Sequence, residues 1–140
     1  MFSVFEDDTI KQMEKDFSKW FEEKMLVHNE KARPFFRDGE VWFTALGENV
    51  GFEQDGRGES YLRPVAIIRK FNNEIFWAVP MTKNKKSGKF YFSFNLDGGT
   101  STAILSQIRL VDAKRLFYRL GVIRSEDLAE MKKRLKALLP

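Results

Sequence analysis

The spacing of the apolar residues changes at Arg33-Pro34, and this change constrains the fold more than any other feature of the chain. Before it, apolar residues recur every three or four positions, which is typical of one face of a helix. They are Ile10, Met13, Phe17, Trp20 and Phe21. Thr9 and Gln12 form a capping box, so we expect an amphipathic N-terminal helix that ends near His28 and packs its stripe on the rest of the protein or across a dimer. Proline at position 34 disfavours helical geometry in the residue before it.

Beyond this point short apolar stretches follow a period of two, and turn-forming residues separate them. They predict five strands, at residues 40–46, 64–70, 75–81, 89–96 and 102–108. A short helix is predicted at residues 112–120, and a last helix is capped by Ser125. Short strands joined by close turns, with helices around them, indicate a small barrel-like α+β fold. We therefore predict a helical extension at residues 1–36 and a barrel domain at residues 37–140.

The composition excludes several functional classes. The 140 residues include no Cys and one His, so we expect no disulfide framework, thiolate nucleophile, Ser-His-Asp triad or His-rich metal site. No apolar run approaches the roughly 20 residues that cross a bilayer, and the acidic start MFSVFEDD does not resemble a signal peptide. The expectation is a cytoplasmic protein with no membrane partner, no metal and no cofactor.

Charge is unevenly distributed along the chain. Residues 1–36 contain six Lys/Arg and eight Asp/Glu, whereas residues 37–140 contain eighteen and twelve, a net charge of +6. A basic body attracts phosphate backbones, but surplus lysine also serves solubility. Charge alone therefore leaves a nucleic-acid partner as one possibility.

The dipeptide Asn72-Asn73 predicts a turn between two strands, and this turn sets their register. If the turn is centred there, Val65 lies opposite Pro80 and Arg63 lies opposite Thr82. Opposed residues have Cβ atoms about 4.5–5.5 Å apart on one face of the sheet. A guanidinium and a hydroxyl would then sit together where flexible loops meet, an arrangement suited to a phosphate. The alternative from the same spacing is an arginine that packs its stem on the barrel rim beside an ordinary strand threonine.

Four motifs follow one another between Gly39 and the C-terminus. They are Gly39-Glu40-Val41-Trp42; GFEQDGRGESYLRPVAII, from Gly51 to Ile68; Pro80-Met81-Thr82; and QIRLVDAKRL, from Gln107 to Leu116, which Gly121-Val-Ile123 follows. In this order and spacing they resemble the MazF/PemK (Kid) family of type II toxin–antitoxin mRNA endoribonucleases. The predicted N-terminal helix is outside the usual family frame, and the loop around residues 58–62 is longer than in the family pattern.

The resemblance implies a homodimeric SH3-like barrel that cleaves single-stranded mRNA at specific sequences, arrests translation and binds a cognate antitoxin. It implies that Arg63 and Thr82 are catalytic and that Glu53 and Gln54 lie near the RNA path, although these two could also simply cap their loop. The basic turn after Thr82 adds predicted RNA-binding residues, which are Lys83, Lys85 and Lys86.

The composition also bears on the chemistry of such an enzyme. Without a metal cluster or a usable His, cleavage would be metal-independent and would use the 2′-hydroxyl of the RNA itself. Arg63 would stabilise charge on the phosphate oxygens. It is a poor general base because the pKa of a guanidinium is so high that almost none of it is neutral. Thr82 would position a phosphate or relay a proton, and Glu53 is a possible base. The alternative function is a non-catalytic SH3-like binding module, either a passive RNA binder or a toxin that poisons gyrase.

Overall fold

The structure is a computed structural model that describes residues 15–140, a curled antiparallel sheet of seven strands with two α-helices. The helices are α1 (Phe17–His28) and α2 (Ser125–Ala137). The strands are β1 (Glu40–Ala45), β2 (Leu62–Lys70), β3 (Ile75–Thr82), β4 (Tyr91–Leu96), β5 (Gly99–Ile104), β6 (Arg109–Asp112) and β7 (Leu116–Val122). Two 3-10 turns, Leu105–Gln107 and Ala113–Arg115, flank β6. None of the helices in residues 15–140 is long and apolar enough to cross a membrane.

The predicted α+β class is confirmed, but the region after residue 99 differs from the prediction. Instead of one strand at 102–108, a 3-10 turn divides the chain into β5 and β6. The predicted helix at 112–120 is wrong, because only a single turn forms there and β7 follows it. Asp112 accepts a hydrogen bond from the main-chain N–H of Lys114 and so caps that turn. Leu116 to Val122 then pairs with β1 over its whole length, a long-range interaction that overrides local helix propensity.

Strand β3 is the centre of the sheet, because it pairs with three other strands. The order is β4-β5-β3-β2-β1-β7, and β6 also pairs with β3. Residues Ile75 to Ala78 pair with β6, whereas Met81 and Thr82 pair with β5. Pro80 lies between these two segments, so its missing N–H falls where β3 passes from one partner to the other, which is where a proline is tolerated.

The sheet curls until its two end strands approach each other. A Cβ atom built on Gly121 of β7 would lie 2.6 Å from Oδ2 of Asp97, in the turn between β4 and β5. Glycine at position 121 permits this close approach. The barrel-like architecture expected from the sequence is therefore present, with β4 and β7 as the ends of the hydrogen-bonded path.

Strand β2 is buried on both faces, which explains its continuous apolar sequence. Ala66 and Ile68 contribute to one core, which α2 covers with Met131 and neighbouring leucines. Val65 and Ile67 point to the opposite side and pack in a second core with Phe36, Phe76 and other residues. This double burial fixes the position of β2, and with it the loop end from which Arg63 extends.

Helix α1 packs on the base of the loop between β1 and β2, mainly through one side chain. Trp20 is 6% exposed and its ring centroid lies 5.2 Å from that of Tyr61. Phe17 and Phe21, by contrast, are 51% and 62% exposed, so the described part of the chain does not bury the whole apolar stripe, and burial of these two side chains across a dimer stays a prediction. Phe21 is one residue from Trp20, about 100° further round the helix, and therefore points away from the barrel. The capping box, Ile10 and Met13 lie outside the described residues, and the division into residues 1–36 and 37–140 stays a prediction.

Candidate active site

Arg63 and Thr82 lie at the same end of the β2–β3 pair. The ladder places Val65 opposite Pro80, which confirms the predicted register at this position. Beyond that pair the strands separate, and Arg63 is paired with β1 while Thr82 is paired with β5. The two residues are therefore not an opposed pair in the ladder, and the contact between their strands is made by the arginine side chain.

The Arg63 guanidinium is held by two main-chain carbonyls. Its Nε donates to the Asp55 carbonyl at 2.5 Å, and its Nη1 donates to the Met81 carbonyl at 3.1 Å. Since Met81 directly precedes Thr82, the second bond places the guanidinium beside the Thr82 backbone. Among residues 15–140, no carboxylate oxygen forms an ion pair with Arg63. The two carbonyls therefore fix the orientation of the guanidinium, but they do not neutralise its positive charge.

The electrostatic surroundings of Arg63 disfavour its charged form. Burial lowers the pKa of Arg63 and the nearby Arg57 lowers it further, while Asp55 acts in the opposite direction. The ordinary pKa of an arginine lies so far above neutral that the group stays protonated despite this lowering. A partly buried cation with no ion-pair partner within residues 15–140 favours an anionic ligand, and its planar fork suits a phosphate.

Thr82 ends β3 and opens the basic turn. Its Oγ1 accepts a hydrogen bond from the main-chain N–H of Asn84 at 3.1 Å. A hydroxyl carries one proton in addition to two acceptor sites, so the Thr82 O–H remains able to donate to a ligand. Lys83, Lys85 and Lys86 follow immediately and are exposed, which places the predicted RNA-binding lysines next to the predicted catalytic threonine.

Glu53 and Gln54 lie on the loop between β1 and β2, and both have structural partners. The Glu53 carboxylate accepts a hydrogen bond from the main-chain N–H of Val50 at 2.9 Å. Gln54 donates its main-chain N–H to Oε1 of Gln107 at 2.7 Å, and Nε2 of Gln107 donates to the Phe52 carbonyl at 3.0 Å. The loop-cap interpretation of Glu53 therefore has direct support, and Gln107 fastens the loop to the chain after β5.

Two clefts are lined by residues of this loop, and Glu53 and Gln54 contribute to both. The smaller, of about 360 Å³, contains Arg63 and Arg57. The larger, of about 600 Å³, is lined by Leu46, Asn49, Phe52, Glu53, Gln54, Pro80, Ser106, Gln107, Ile108 and Arg109. Residues 15–140 contain no group of three or more His, Asp or Glu side chains placed to hold a metal ion.

Arg57, Arg109 and Gln107 also line these clefts, although no sequence pattern predicted a role for them. Burial lowers the pKa of Arg109, and Glu53 acts against this shift. Gln107 and Arg109 belong to the fourth sequence motif, so their membership of that motif could have predicted a functional role. Arg57 lies in an irregular loop, where no periodicity indicates the direction of a side chain.

The first motif has a structural function rather than a place in the clefts. The buried Glu40 carboxylate accepts hydrogen bonds from the Trp42 indole at 3.0 Å, from the main-chain N–H of Arg37 at 2.8 Å and from Arg119 at 3.1 Å. Burial by itself would raise the pKa of Glu40, but these hydrogen bonds together outweigh it and the pKa is lowered. Glu40 is therefore held as a carboxylate that joins β1 to β7 and to the segment before it.

Fold and site together define a small α+β barrel protein with a partly buried arginine at its loop end, which forms no ion pair within the described residues. Residues 37–139 match the family model described as "PemK-like, MazF-like toxin of type II toxin-antitoxin system". The chain belongs to this family.

Solved structures show the same fold. A crystal structure of MazF from Deinococcus radiodurans has a TM-score of 0.59 and 19% identity, and the match covers 77% of this chain and 97% of that one. An endoribonuclease in complex with its cognate antitoxin, from a mycobacterial species, has a TM-score of 0.56 and 16% identity, with coverage of 76% and 97%. A mycobacterial endoribonuclease gives 0.55 and 15%, with coverage of 78% and 97%. No curated protein sequence matches this chain.

Proposed function

We propose that this protein is the toxin of a type II toxin–antitoxin system and that it cleaves single-stranded mRNA, sequence-specifically and without a metal ion, and so arrests translation. The observation that carries the proposal is the Arg63 guanidinium, which two carbonyls hold beside Thr82 with no carboxylate partner among the described residues. Family membership supports the same reading. Arg63 and Thr82 are the proposed catalytic residues.

In this mechanism Arg63 binds the scissile phosphate and stabilises the charge that grows on its oxygens during the reaction. Donors that are already oriented toward developing charge are usually the largest contribution to such catalysis. The two carbonyl bonds fix the guanidinium before substrate arrives, so little reorganisation is needed when the phosphate binds. Thr82 donates its remaining hydroxyl proton to a phosphate oxygen and helps to orient the group.

In the proposed reaction the nucleophile is the 2′-hydroxyl of the RNA itself. The 2′-oxygen of the RNA attacks the adjacent phosphorus, the bond from phosphorus to the 5′-oxygen breaks, and the products are a 2′,3′-cyclic phosphate and a 5′-hydroxyl. A base takes the 2′-hydroxyl proton, and the 5′-oxygen receives a proton as it leaves. Glu53 is the candidate base because it lines both clefts, one of which contains Arg63.

The remaining RNA contacts and the protein partners are also part of the proposal. Gln54 and the exposed lysines Lys83, Lys85 and Lys86 would bind the RNA backbone on either side of the cleavage point. A homodimer and a cognate antitoxin are the proposed protein partners, in the cytoplasm where mRNA is translated. One related structure is an endoribonuclease bound to its cognate antitoxin, which supports the second partner.

The decisive experiment is cleavage of a single-stranded RNA by the purified full chain in excess EDTA. A DNA of the same sequence is the matched control, because it lacks the attacking 2′-hydroxyl. We expect the RNA to be cut with a cyclic phosphate and a 5′-hydroxyl at its new ends, and the DNA to stay intact. Binding of the RNA without cutting would favour the non-catalytic module, and a requirement for added Mg²⁺ would refute the metal-independent mechanism.

A further inference from the structure

The segment that precedes the barrel contacts the loop between β1 and β2 near its tip. The Lys15 ammonium donates to the Asn49 carbonyl, to the Gly51 carbonyl at 3.0 Å and to the Asp55 carboxylate, whose nearer oxygen lies at 3.0 Å. Only about a quarter or less of each side chain of this ion pair is exposed, 22% for Lys15 and 25% for Asp55. An ion pair of this kind that forms part of a network is worth more than an isolated surface pair.

The same segment also contacts the start of the loop. Gly47 has a φ of +77°, and a Cβ atom built on it would lie 2.0 Å from the Trp20 ring. The indole therefore rests directly on the main chain at Gly47, and it also packs at a tilt on the ring of Tyr61 at the end of the loop. Lys15 and Trp20 together hold the tip and both ends of one loop from outside the barrel.

Asp55 links these contacts to the proposed catalytic arginine. Its carboxylate pairs with Lys15 and accepts a hydrogen bond from the main-chain N–H of Asn49 at 2.6 Å. Its carbonyl is the acceptor for Nε of Arg63. A displacement of Asp55 therefore moves one of the two groups that orient the guanidinium.

We propose that the N-terminal segment positions Arg63, with Lys15 and Trp20 as positioning residues that order the loop carrying Asp55. The inference rests on the proposed function in one respect, since an effect of these residues on catalysis requires that the protein cleaves RNA. None of the α1 residues lines either cleft, so the helix supports the loop without covering the site. A long surface loop has many accessible conformations, and anchoring it from outside restricts it to those in which the Asp55 carbonyl meets Arg63.

The test compares Lys15→Met with Lys19→Met in the full chain. Methionine keeps most of the lysine stem and removes the ammonium, and the Lys19 side chain forms no hydrogen bond or ion pair within the described residues, so it is the matched control. The first measurement is the NMR signal of the Arg63 Nε–H and its rate of exchange with water. In Lys15→Met we expect the signal to shift and the exchange to become at least about tenfold faster, because the bond to Asp55 opens more often. Lys19→Met should match the wild type.

The second measurement is the kinetics of RNA cleavage by the same proteins. Misplacement of an orienting group acts on the chemical step, so kcat should fall by about tenfold in Lys15→Met while KM stays within about twofold. Lys15→Arg should recover most of the loss because it keeps the cation, and Asp55→Asn should reproduce it because it removes the same ion pair. An unchanged Arg63 signal and kcat in both Lys15→Met and Asp55→Asn would overturn the proposal. If the wild type does not cut RNA, the proposed function fails, and the Arg63 signal still decides whether Lys15 positions the guanidinium.

Discussion

Replacing Arg63 by alanine removes the proposed phosphate-binding cation, and we expect cleavage to slow by about 10²–10³-fold, the loss typical of one preorganised donor to developing charge. Arg63→Lys should recover only part of this rate, because an ammonium cannot reproduce the planar fork that bonds two carbonyls and a phosphate together. Rates are measured at saturating RNA on proteins whose folding has been checked.

The same substitution has a stability effect that the structure allows us to estimate. The guanidinium donates two hydrogen bonds, to Asp55 and Met81, and a typical intramolecular hydrogen bond contributes about 0.5–1.5 kcal/mol. Water in the adjacent cleft can replace the lost donor, and the substitution also removes the free-energy cost of burying the charge. The net loss should therefore be about 1–2 kcal/mol, or about 3–8 °C in Tm for a domain of this size.

Variants of Thr82, the second proposed catalytic residue, test the site assignment independently of Arg63. Thr82→Ala should reduce the rate severely, whereas Thr82→Ser should retain more activity because the hydroxyl that bonds the Asn84 N–H survives. The assay pairs cleavage rate with melting temperature on each variant.

A folded Arg63→Ala protein that cuts RNA near the wild-type rate would refute the site assignment. Loss of activity that only accompanies unfolding would make Arg63 a structural residue.

Three further predictions concern the scaffold. Glu40→Gln should destabilise the protein by about 1–3 kcal/mol at pH 7 in urea unfolding. Because folding lowers the pKa of Glu40, the greater stability of the wild type is present above the ordinary pKa of 4.5 and should shrink as the pH falls through the pKa of the folded state. A stability difference that does not change with pH would contradict this. Gly47→Ala should be far more destabilising than Gly51→Ala. Both glycines have a positive φ, but only at Gly47 would an added Cβ atom clash with Trp20. Equal unfolding midpoints of the two variants would contradict the packing described for α1. Met131→Ala should lower the unfolding free energy by about 2–5 kcal/mol, because this side chain of α2 is fully buried, and a change below about 1 kcal/mol would show that α2 is not part of the core.

Some features of this protein could be predicted from local sequence because local sequence determines them. The apolar stretches of β1 to β4 and the turn at Asn72-Asn73 are each short and local, so these strands and the Val65–Pro80 register could be predicted from the sequence. The resemblance of the four motifs predicted the family to which the chain belongs. The helical character of α1 likewise follows from residues close in sequence.

Other features depended on residues far apart in the chain. β7 is a strand because β1 offers it a hydrogen-bonding edge about 75 residues away in sequence, and no local pattern shows that edge. Two acceptors orient Arg63, and one of them, Asp55, lies in a loop without periodicity. The contacts of Lys15 and Trp20 with that loop also join distant segments. Apolar spacing indicates which face of an element is buried. The element that packs on that face, and the side chains brought together there, are decided only when distant strands pair and the sheet curls.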